Sequence, residues 1–262
     1  MSKTPAEVAQ ALEQLDALTR RLRVECPWDR EQDERTIVPH TLEEAYELAD
    51  AAHRRDDAKM LDELGDVLFQ VHFLSLLLEE RDAGSLADVA EHVRQKLIRR
   101  HPHIFGETEV ADAGEVLANW DAIKSTEAGR EPGIFGEVPE NLPATLYARK
   151  VQRRTATTGF DVDAPPYDAV AGQLEQLEGS AAGDDPDARY ADVGDLLFAA
   201  VNVARKLKVD PELALRSSAD RFRARVEVAE RLAAADGETW NGLGTGRQLN
   251  YYAQARLREE QD

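Results

Sequence analysis

The chain has a single cysteine, Cys26, so no disulfide can form within it, and a reducing cytoplasm is the compartment that fits. No uninterrupted apolar run reaches the about 18 residues that a membrane span needs. The opening stretch MSKTPAEVAQALEQLDALTRRL carries acids at amphipathic spacing, unlike a signal peptide. Basic residues are outnumbered: 32 Lys and Arg stand against 51 Asp and Glu, a formal net charge of −19. A general nucleic-acid binder shows the opposite balance, so any polyanionic ligand must be met locally, by metal ions or a basic cluster. A Walker A motif and a GxGxxG stretch are missing, which excludes P-loop and Rossmann nucleotide sites. No His/Cys cluster has zinc-ligand spacing. No Glu-x-x-His motif supports a di-iron bundle, and His40, His53, His72 and His92 read as surface or packing residues.

Strand-like alternation is almost absent, and apolar residues recur at helical spacing nearly throughout. The pattern predicts an all-α fold with helices near 5–23, 41–54, 58–81, 85–100 and 113–127, then 144–157, 167–178, 187–208, 211–235 and 245–260. Thr41, Asp57 and Ser85 are candidate N-caps, Pro102 ends one helix, and Asp210-Pro211 starts another. Between the two sets, EAGREPGIFGEVPENLP concentrates Gly and Pro. We therefore expect a first domain over 1–127, a linker over 128–143 and a second domain over 144–262. The halves resemble each other: LDELGDVLFQVHF at 61–73 shares its frame with YADVGDLLFAAVN at 190–202, and a basic cluster follows each.

The stretch from Thr41 to Phe69 is unusually acidic for its apolar content. With Thr41 as N-cap, TLEE is a capping box that accounts for Glu43 and Glu44 without any function. Glu47 lies deeper. Glu44 and Glu47 share one helix face, Glu63 and Asp66 share another, and the turn HRRDDAK folds the second helix back on the first. Converging carboxylates repel unless something positive lies between them. A hard divalent cation fits, Mg²⁺ first, with Mn²⁺ as a substitute. Further on, RQKLIRRHPHIF sets Lys96, Arg99 and Arg100 together, and NWDAIK sets Trp120 and Lys124 on one face. That set is either a basic face balancing acids elsewhere, or a phosphate clamp with an aromatic able to stack on a base.

These stretches resemble the MazG-type nucleoside triphosphate pyrophosphohydrolases. The carriers are CPWDREQ at 26–32, TLEEAYEL at 41–48, DELGDVLFQVHF at 62–73, KLIRRHPHIFGE at 96–107, NWDAIK at 119–124 and LPATLYARKVQRRTATTGFD at 142–161. The resemblance implies two tandem all-α domains and a homodimer that completes a four-helix core. It also implies Mg²⁺-dependent hydrolysis of (d)NTPs to a monophosphate and pyrophosphate, a house-cleaning activity on the nucleotide pool. By it, Glu44, Glu47, Glu63 and Asp66 are the catalytic metal-binding acids, with Glu43 adjacent. Lys96, Arg99, Arg100, Trp120 and Lys124 are the substrate-binding set, and Glu47 is the candidate base. No nucleic-acid polymer or membrane is expected as a partner.

The second half departs from that pattern. AGQLEQLEG at 171–179 replaces the Glu run, leaving Glu175 and Glu178 beside Gln173 and Gln176. Asp192, Asp195, Arg221, Arg225, Tyr252 and Arg256 then outline a vestigial second site. A non-catalytic nucleotide sensor and a helical protein-interaction module are the alternative readings.

Overall fold

The structure is a computed structural model, and it describes residues 3–126, 133–136, 138–139 and 141–259. Every regular element among the described residues is helical. The chain divides into two compact units, Met1–Ala128 and Gly129–Asp262. Of the predicted linker, 128–143, residues 128–132, 137 and 140 lie outside the described residues. No helix among the described residues is long and apolar enough to cross a membrane.

The first unit contains α1 (Pro5–Glu25), the short α2 (Pro27–Glu31), α3 (Glu34–Arg54), α4 (Asp57–Glu79), α5 (Leu86–Arg100), the short α6 (Pro102–Phe105) and α7 (Ala113–Thr126). The sequence reading did not anticipate α2 or α6. The antiparallel hairpin α3–α4 is the centre of this unit. Arg55 adopts φ 56° to end α3. Asp56, not Asp57, then caps α4 by accepting from the Lys59 N–H at 3.0 Å. Ile37, Phe73 and Leu77 are buried between the two helices, with Phe69 and Leu74 packed against them. Ion pairs tie α1 to the end of α4. Arg20 donates to both carboxylate oxygens of Glu79 at 3.0 and 2.7 Å. Arg23 donates to both oxygens of Glu80 at 2.7 and 2.8 Å. Arg23 also holds the backbone carbonyls of Asp29 and Gln32, which fixes α2.

One expected boundary is corrected. Thr41 does not cap a helix, because α3 already begins at Glu34. Asp33 accepts from the N–H groups of Arg35 and Thr36 at 2.8 and 2.9 Å, and the Thr36 hydroxyl accepts from the Asp33 N–H at 2.8 Å. The helix runs on through Pro39, which lacks the N–H of an ordinary helical position. Thr41 instead donates to the Ile37 carbonyl at 3.3 Å. Glu43 and Glu44 therefore sit in mid-helix, where neither a capping role nor the helix dipole explains them.

The second unit contains α8 (Ala144–Ala156), α9 (Tyr167–Ala181), α10 (Pro186–Lys206), α11 (Pro211–Ala235), a 3₁₀ turn (Trp240–Gly242) and α12 (Thr245–Glu259). The hairpin α9–α10 occupies the sequence place that α3–α4 holds in the first unit. Asp210 caps α11 at Pro211. Ala229 and Ala233 let α12 approach closely, and Tyr251 and Ala255 fill that contact. The Tyr251 hydroxyl donates to Asp236 at 2.8 Å, which satisfies its buried polar tip.

Candidate active site

Glu44 projects from α3, and Glu63 and Asp66 from α4. One carboxylate oxygen of each lies within 4.8 Å of the other two, the one group of this kind found among the described residues. Glu63 is buried, at 3% exposure. Asp66 shares the helical stripe of Glu63, Gln70, Phe73 and Leu77 yet is exposed. Beside it the helix is open: a Cβ added at the neighbouring Gly65 would meet no atom within 4 Å.

Burial, then the charges of Asp66, Glu47, Glu63 and Glu43, raise the pKa of Glu44 above the ordinary carboxylate value. Like charges at this spacing call for a cation. Lys59 supplies one from the start of α4: its Nζ lies 3.0 Å from Glu63 Oε1 and 3.6 Å from Glu47 Oε2. Glu47 is not one of the three carboxylates that meet within 4.8 Å, though its charge acts on Glu44. Glu43 is exposed, with His40 Nδ1 3.8 Å away. A donor set made only of carboxylate oxygens suits a hard divalent ion such as Mg²⁺ or Mn²⁺ and is a poor match for softer metals.

The basic set gathers on α5 and α7, which pack together. The Arg100 guanidinium lies 5.4 Å from the Trp120 ring centroid. His101 meets the same ring edge-on at 5.0 Å. Lys96 and Lys124 are half-buried on these helices, and Arg99 is exposed. Sequence reasoning missed Lys59 and His101. The first had a readable signal, a lysine four residues before Glu63. The second had none, because its contact with Trp120 crosses from one helix end to another helix.

The second unit handles its acids differently. Asp192, at the place of Glu63 in the repeat, is buried and accepts from Gln176 Nε2 at 2.6 Å. A neutral amide here does what Lys59 does in the first unit. Asp195 is exposed. Arg221 donates to Ser217 and Ser218 at 2.6 and 2.8 Å, and Arg225 to Glu259 at 2.6 Å. Tyr252 packs on Phe222 at 5.6 Å, and Arg256 is exposed.

Comparison with known proteins finds one family match and several relatives. The MazG nucleotide pyrophosphohydrolase domain matches residues 32–105, which span α3, α4 and α5. The chain is 37% identical over 240 residues to the nucleoside triphosphate pyrophosphohydrolase of Escherichia coli K12, covering 89% of this chain and 91% of that protein. It is 35% identical over 259 residues to the nucleoside triphosphate pyrophosphohydrolase/pyrophosphatase MazG of Thermotoga maritima, covering 97% and 99%. The nucleoside triphosphate pyrophosphohydrolase of Mycobacterium tuberculosis is 32% identical over 146 residues, 55% of this chain and 44% of that protein. The chain belongs to the MazG family of nucleoside triphosphate pyrophosphohydrolases.

Proposed function

We propose that the first unit hydrolyses (deoxy)nucleoside triphosphates to the monophosphate and pyrophosphate with Mg²⁺, acting on the nucleotide pool in the cytoplasm. The observation that carries this reading is the convergence of Glu44, Glu63 and Asp66 within 4.8 Å on a hairpin inside the MazG match. These three carboxylates would hold the divalent ion. When bound, such an ion neutralises phosphate charge and lowers the pKa of water.

The chain's own residues supply the rest. Glu47 lies close enough to the group for its charge to act on Glu44, and it is the candidate to orient a water and take its proton. Attack at the α-phosphorus breaks the bond to the bridging oxygen and expels pyrophosphate. Lys96 and Arg100 meet the charge that develops on the leaving group. Trp120, braced by Arg100 and His101, offers a face for the base. In the second unit, Gln176 already satisfies Asp192, so that site is read as catalytically silent. A homodimer completes the fold in this reading. Leu61, Leu64, Leu68 and Val71 form an exposed apolar stripe on α4, whereas Ser75 is buried and donates to Val71 O. Release of pyrophosphate from a dNTP panel with Mg²⁺, against an EDTA control, tests the activity. Binding without release would indicate a sensor, and neither would indicate an interaction module.

A further inference from the structure

The stretch RKVQRRTATTGFD, which the proposed reaction does not use, builds a separate cavity in the second unit. It measures about 300 Å³ and opens between α8, α10 and the turn at 159–162, a size at the small end for ligand pockets. Gly159 takes φ +88°, a left-handed conformation that lets the chain turn sharply after α8. The turn leaves Phe160 81% exposed at the rim. Phe198 faces the cavity from α10, and Val151 and Val162 complete its apolar walls.

Gln152 also lines this cavity and is 6% exposed. Its Nε2 donates to the Phe198 carbonyl at 2.8 Å. That contact fixes which amide atom is the oxygen, and Oε1 is left buried with no partner. An orphaned buried acceptor is costly, and a ligand N–H that reached it would remove the cost. Asn202 accepts from Arg205 Nε at 2.9 Å through its oxygen, so its NH₂ is the group it can offer to a ligand.

The charges select further. Arg205 and Lys206 both pair with Asp161, Lys206 at 3.2 Å, so two cations share one carboxylate beside the cavity. The interior therefore favours a flat, neutral heteroaromatic body with N–H and acceptor atoms on its edge. Arg205 and Lys206 are the cations an anion just outside could meet. A nucleoside monophosphate has both parts.

We infer that this cavity is a second, non-catalytic nucleotide site that holds a nucleoside monophosphate by its base. The inference rests on the nucleotide chemistry proposed for the first unit, which makes monophosphates the product class.

The test is calorimetric titration of the full chain with AMP, GMP, CMP, UMP and dTMP in EDTA, with hydrogen exchange to locate the bound ligand. At least one monophosphate should bind and protect 151–162. Phe160→Ala should weaken that binding by about tenfold or more, and its exposed position leaves the fold intact. Gln152→Met should weaken it similarly, with a melting curve to verify folding. Asp66→Asn should leave it unchanged. Absence of binding up to about 10 mM, protection confined to 96–124, or unchanged affinity in Phe160→Ala would overturn the inference. Pyrophosphate release by the same wild-type sample is measured alongside, so failure of the proposed reaction is seen separately from failure of this site.

Discussion

Lys59 Nζ lies 3.0 Å from Oε1 of the buried Glu63, and both residues belong to the first turns of α4. A buried carboxylate without a cation is costly, so Lys59 holds a position that a divalent ion would compete for. Lys59→Met should melt a few degrees below wild type in EDTA. With saturating Mg²⁺ the gap should close, because ligation of the folded state stabilises it. An equal deficit in both conditions would show that Lys59 acts only as a local helix residue.

Glu44→Gln should behave in the opposite sense. Removing one carboxylate from a crowded group relieves repulsion that raises the Glu44 pKa, after the larger effect of burial. The variant should melt above wild type in EDTA, yet gain less from Mg²⁺. A full Mg²⁺ response in Glu44→Gln would remove Glu44 from the metal site.

How far these relationships were legible from sequence differs by type. The helices were readable because their apolar spacing and caps are local: Ser85 accepts from the Asp88 N–H, and Asp210 from those of Glu212 and Leu213. Thr41 misled because a capping box and a mid-helix Thr-x-x-Glu look alike in sequence, and only the Asp33–Thr36 cap decides between them. The carboxylates could be proposed to converge because a hairpin of known turn length brings two helix faces together. The Lys59 contact with Glu47 and the Gln176 contact with Asp192 cross from one helix to the next, and spacing alone does not specify such pairs. The Gln152 cavity is built from three segments, so no single motif announces it.

Asp161 gives a pH prediction. The Arg205 guanidinium, with help from the Val162 N–H and Lys206, holds its carboxyl well below the usual carboxylate range. A depressed folded pKa means stability that is present above the ordinary value of 3.8 and lost as pH falls toward the folded one. Asp161→Asn should therefore cost about 1–2 kcal/mol at pH 7, and the difference from wild type should shrink steadily below pH 3.8. A deficit independent of pH would mean that shape rather than charge is lost.

Assembly is checked by light scattering at micromolar concentration. The full chain should show twice its 29.1 kDa mass. Leu68→Lys, which puts a charge on the exposed stripe of α4, should shift it toward the monomer. A fully active wild-type monomer would remove the four-helix dimer from the account.

The central claim is that chemistry belongs to the first unit, and paired substitutions in the full-length protein test it most directly. Glu63 and Asp195 both lie on the second helix of their hairpins, but only Glu63 belongs to a three-carboxylate group. Initial rates of pyrophosphate release from a dNTP are measured with Mg²⁺ for wild type, Glu63→Gln and Asp195→Asn, with a melting curve for each. Glu63→Gln should stay folded and lose about 100-fold or more of the rate, while Asp195→Asn should keep most of it. A folded Glu63→Gln at wild-type rate, with Asp195→Asn inactive, would place the reaction in the second unit and contradict the account.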